Sequence, residues 1–90
     1  MIINLYVTRD LKLGEAVSGI QMFKNNEVAK RNFINAIANI IEQGNPEKCP
    51  IADLDFVKIG SFDNETLVIT PEVEVIINGA TCIAMSKKEN

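Results

Sequence analysis

Histidine and tryptophan are missing from this 90-residue chain, and cysteine occurs only twice. Without histidine the commonest general base near neutral pH is gone, and Ser–His and Cys–His nucleophile pairs are excluded. Cys49 and Cys82 cannot supply the four ligands of a structural zinc site. Their spacing permits a disulfide, but they read better as small apolar residues of a reducing compartment. The five glycines make no phosphate loop, since neither Gly14 nor Gly19 is followed by Gly-Lys-Ser/Thr. Apolar runs are as short as Ala36-Ile37-Ala38 and Ile40-Ile41, against the ~20 residues of a membrane span. Met1 to Leu5 lacks the basic start and apolar core of a signal peptide, so a cytoplasmic protein without a membrane partner is expected.

What is present suits one small domain, expected over residues 1–85 with a frayed tail at 86–90. The apolar fraction of 47% is ordinary for a globular protein. A chain of this size buries roughly 60–65% of its unfolded surface, a thin margin that a homodimer interface would widen. Net charge is −3, unfavourable for a general electrostatic grip on nucleic acid. The charge is uneven, however. Residues 1–31 hold five basic and three acidic groups, and residues 32–90 hold four basic and nine acidic. Arg9, Lys12, Lys24, Lys30 and Arg31 could form a basic face, although a solvated surface explains them equally simply.

Period-two patterning predicts strands at Ile2 to Thr8 and, interrupted by Gly19, at Ala16 to Phe23. In the first, Ile3, Leu5 and Val7 share one face, leaving Tyr6 on the other. A helix of about seventeen residues follows. Asn25 or Asn26 caps it, Glu27 suits its positive end, and Ala29, Phe33, Ala36, Ile37, Ile40 and Ile41 form its apolar stripe. Gly44 and Pro46 close it.

Glu47 to Ala52 reads as a linker. Two strands, Leu54 to Phe62 and Thr66 to Ile69, then meet across Asp63-Asn64-Glu65 as a hairpin, with Gly60 marking a bulge, a packing contact or a partner's approach. After Pro71 a strand resumes at Glu72 to Ile77, with Val73, Val75 and Ile77 inward. Asn78-Gly79 signals a turn before a short strand at Thr81 to Met85. The expected class is α+β: an antiparallel sheet of four to five strands with one helix on one face, in β-β-α-β-β order.

No catalytic or metal-binding residue and no cofactor is expected. Asp53, Asp55, Asp63 and Glu65 read as strand-end and turn residues. Among the aromatics, Phe33 belongs to the helix stripe, and Tyr6 is the best exposed candidate for base stacking, followed by Phe62. Core or dimer packing remains the simpler reading for both.

The pattern Arg9-Asp10-x-Lys12-x-Gly14, Phe23-x-Asn25-Asn26 and Ala29-x-Arg31-x-Phe33, continued by Ile59-Gly60-x-Phe62-Asp63-x-x-Thr66, resembles the small non-structural protein of gokushoviruses. These are single-stranded DNA phages of the microvirus group. The resemblance runs from about Leu5 to Thr66. It departs at Gly19-Ile20-Gln21-Met22 and has no counterpart after Pro71. It implies a non-enzymatic accessory protein in the host cytoplasm, serving viral DNA synthesis or single-stranded genome production. One version binds single-stranded DNA through Arg9, Lys12, Lys24, Lys30 and Arg31, with Tyr6 stacking on a base. The other is a dimeric adaptor for a phage or host replication protein that leaves DNA untouched.

Overall fold

A computed structural model describes residues 1–42 and 51–88. Its elements are β1 (Ile2–Asp10), β2 (Glu15–Ala16), β3 (Gln21–Phe23), α1 (Asn26–Glu42), a 3-10 turn (Ile51–Asp53), β4 (Leu54–Asp63), β5 (Ile69–Asn78) and α2 (Gly79–Lys88). All strand pairings are antiparallel, in the order β2-β1-β4-β5, with β3 also paired to β1. The α+β class holds, with one helix more than expected.

The extra helix comes from a second use of one residue. Asn78 does not turn the chain into another strand. Its Oδ1 accepts from the Thr81 N–H at 2.8 Å and caps α2, which runs over the expected strand Thr81 to Met85 and on to Lys88. Gly79 is required there, because a Cβ would collide with the Ile51 carbonyl. Asn25 caps α1 in the same way, accepting from the Val28 N–H at 2.9 Å. The expected closure at Gly44 and Pro46 lies outside the described residues, as does most of the linker. The single second strand is split into β2 and β3 around Gly19.

The main core lies between one sheet face and both helices. It joins Tyr6, Leu54, Phe56 and Ile77 of the sheet to Ala29, Phe33 and Ile37 of α1, Ile51 and Cys82. Phe56 stacks on Tyr6 at 5.3 Å and on Phe33 at 4.9 Å, while Phe23 meets Tyr6 edge-on at 5.7 Å. Burial in this core pushes the Cys82 thiol pKa up.

Gly60 marks both a bulge and a close approach. The β1–β4 register slips between Leu5 and Tyr6, where Leu5 faces Gly60 and Tyr6 faces Lys58. Gly60 adopts φ +157°, and a Cβ there would run into the Thr70 carbonyl of β5. The hairpin loop is longer than Asp63 to Glu65, since β5 begins at Ile69. Asp63 holds it: its Oδ1 accepts from the Glu65 N–H at 2.9 Å, and its carbonyl from the Leu67 N–H at 2.8 Å.

Bulges also decide which side each strand residue faces. Val57 lies opposite Val75 but Phe56 opposite Ile77, so Ile76 is the inserted residue. Ile77 therefore packs under the helices while Val73 and Val75 point to the other face. All three had been expected inward. Ile77 is buried, but Val73 and Val75 are 73% and 51% exposed.

Candidate nucleic-acid interface

The six residues that could grip a nucleic acid go to three different places. Tyr6 was expected outside and is fully buried. β1 is buried on both faces around Leu5, Tyr6 and Val7, and both helices cover the side that carries Tyr6 between Asn4 and Thr8. Its hydroxyl donates to Asn26 Oδ1 at 2.6 Å and accepts from Asn4 Nδ2 at 3.1 Å. Burial raises its pKa, against the opposing Asn4 hydrogen bond and with a smaller push from the charge of Glu74. In this fold Tyr6 has no face to offer a base. Phe62, the second aromatic candidate, is half-buried beside Ile3 and Ile69 on the face away from the helices.

Arg9 is engaged by the start of β4 and Lys12 by the end of the 3-10 turn before it. The Arg9 guanidinium grips Asp55 with two hydrogen bonds, Nε to Oδ1 at 3.2 Å and Nη2 to Oδ2 at 2.8 Å. Asp55 is buried, and its hydrogen bonds and charge push the Arg9 pKa upward. Lys12 reaches Asp53 at 3.2 Å. Its loop is built by Asp10, whose Oδ1 accepts from the Lys12 and Leu13 N–H groups at 2.8 and 3.2 Å. Gly14 closes the loop at φ +72°. The carboxylates at Asp53 and Asp55 thus pair with cations of the β1 region. Among the described residues no group of three acidic or cysteine side chains could hold a metal ion.

Lys30 and Arg31 share one surface depression, and Lys24 precedes the helix that carries them. Lys24 is exposed just before the Asn25 cap, and Lys30 and Arg31 sit on the second turn of α1. Among the described residues none of the three forms an ion pair. Glu27, Lys30, Arg31 and Ile34 line a shallow open depression of about 190 Å³. That is below the roughly 300 Å³ at which small-molecule pockets begin, and its open, charged rim suits a surface contact. A second depression, of about 160 Å³, brings Glu74 of β5 close to Lys30. No helix of the structure, among the described residues, is long and apolar enough to cross a membrane.

The sequence reading missed a different surface. Across the sheet face away from the helices run three cross-strand rows: Ile3, Phe62 and Ile69; Met22, Leu5, Gly60 and Pro71; and Val7, Val57 and Val75. Leu5, Val7 and Val57 are buried but stand outside the helix-side cluster. The available signal was the run Leu54 to Ile59. Its apolar residues fall on both faces of one strand, which strict alternation does not produce.

The chain matches the family described as Phage ORF5 protein over residues 3–82. That span reaches past Pro71, through β5 and into α2. No curated protein and no solved structure matches it.

Proposed function

We propose that this chain, which belongs to the Phage ORF5 protein family, is a non-enzymatic accessory protein of single-stranded DNA phage replication or genome production. It would act in the host cytoplasm by contacting the backbone of single-stranded DNA. The gokushovirus resemblance of its Arg9-to-Thr66 motifs supplies the phage context. The observation that carries the contact is the pair Lys30 and Arg31, which line one depression on α1, with Lys24 just before the helix; none of the three forms an ion pair among the described residues. Arg9 and Lys12, each held by an aspartate, are minor contributors in this reading, and Tyr6 is not a contact.

Three phosphate contacts give a log–log salt slope of about −2, so fourfold more salt weakens binding roughly twentyfold. Fluorescence anisotropy with labelled oligo-dT should show that slope, and Lys30→Glu with Arg31→Glu should abolish the complex. No complex at low salt and micromolar protein would sink the reading. A second reading, a dimeric adaptor that docks a phage or host replication protein, is favoured by the acidic balance of residues 32–90, with four basic and nine acidic groups. It predicts that such a partner is captured with both charge reversals in place.

A further inference from the structure

We propose that the sheet face away from the helices is a homodimer interface, and that its occupant is a second copy of this chain. Both helices belong to the Tyr6 side of the sheet. On the opposite face the central Leu5, Val7 and Val57 are buried within the single chain, but the flanking strands β3 and β5 leave Met22, Ile69, Val73 and Val75 exposed to 63%, 62%, 73% and 51%. Phe62 and Pro71 complete the patch.

Two properties of this face select a second copy. The first is area. The exposed apolar parts come to on the order of 600 Å², near the ~800 Å² per partner of a standard interface and at the top of what monomers leave bare. The second is charge. A two-fold interface sets a surface against itself, so unpaired charges would meet their own kind. In the cross-strand rows of this face the charged residues are Arg9 and Asp55, which neutralise each other at 2.8 Å. The carboxylates of Glu72 and Glu74 alternate to the other side, where Lys58 lies 3.8 Å from Glu72.

The same carboxylates oppose the competing arrangement, in which two β5 edges pair side by side. A two-fold axis at Val73 would set Glu72 of one copy opposite Glu74 of the other, and Pro71 has no N–H to donate. Face-to-face packing leaves both α1 surfaces outside. The dimer then carries two sets of Lys24, Lys30 and Arg31, although the proposal does not depend on DNA binding.

Sedimentation equilibrium of the full chain at tens of micromolar should give twice the chain mass. Val73→Lys with Val75→Lys should halve that mass while the circular dichroism stays native, because both positions are solvent-exposed in the single chain. Met22→Lys, on another strand of the same face, provides an independent variant should the double one misfold. Thr70→Lys, on the opposite face, should leave the dimer intact. A wild-type monomer, or a dimer that survives both the double variant and Met22→Lys, would overturn the proposal.

Discussion

Gly60→Ala should be among the most damaging small substitutions in this chain, and its cost can be worked from two separate sources. Backbone strain is the first. At φ +157° the residue occupies a region essentially reserved for glycine, which costs another residue about 1–3 kcal/mol. Collision is the second. The new Cβ would meet the Thr70 carbonyl and approach Pro71 Cα to 3.2 Å. Both atoms belong to the paired strand β5, so relief requires moving a ladder, at roughly 1–3 kcal/mol.

The sum is about 2–6 kcal/mol, against a total stability on the order of 5–13 kcal/mol for a chain of this size. In urea, with a slope near 1 kcal/mol/M, the midpoint should fall by about 2 M or more. Two other glycines separate the causes. Gly14 has φ +72° and no atom within 4 Å of an added Cβ, so Gly14→Ala should lose only about 1 kcal/mol of left-handed strain. Gly19 has the same open space without the positive φ, and Gly19→Ala should be neutral or gain about 0.5 kcal/mol from the unfolded chain. Equal midpoints for Gly60→Ala and Gly14→Ala would refute the close-approach argument.

Tyr6 is the single tyrosine and there is no tryptophan, so its optical signals are unmixed. Ultraviolet titration should show the phenol ionising above 10.0, its ordinary value, and saturating oligo-dT should leave its fluorescence unchanged. Quenching by a stacked base would contradict the burial. Asp63 should make the hairpin acid-sensitive. The Glu65 backbone N–H, foremost, holds its carboxyl below the ordinary 3.8. A depressed carboxylate stabilises fully above that value, and the contribution is lost as pH falls through the lower folded one. Urea midpoints measured down to about pH 3 should therefore fall less in Asp63→Asn than in the wild type. Parallel curves would remove the role given to the turn.

Much of the architecture was legible along the chain because local chemistry determines it. The α1 cap at Asn25, its stripe of Ala29, Phe33 and Ile37, and the hairpin turn at Asp63 each depend on residues a few positions apart. Asn78 shows the limit. Its side chain can close a turn or cap a helix, and the choice fell to α2, whose packing on the Ile51 turn and the sheet the local sequence does not record.

The candidate site was less legible, since spacing identifies a charge but not its partner. Arg9 meets Asp55 from 46 residues away, and nothing near Arg9 announces this. Likewise, alternation set Ile3, Leu5 and Val7 on the apolar side of β1 and Tyr6 with Asn4 and Thr8 on the other, yet the helices cover the Tyr6 side.

The sequence by itself determined an α+β chain without histidine chemistry, with one strongly capped helix, a glycine-marked hairpin and a basic first third. These follow from composition and from interactions within one or two turns of chain. Only the tertiary structure decided that Tyr6 is core, that Arg9 and Lys12 are neutralised, and that Val73 and Val75 stand on an open face. Each of those outcomes depends on strand register. A single inserted residue, at Ile59 or Ile76, reverses the faces of all that follow it.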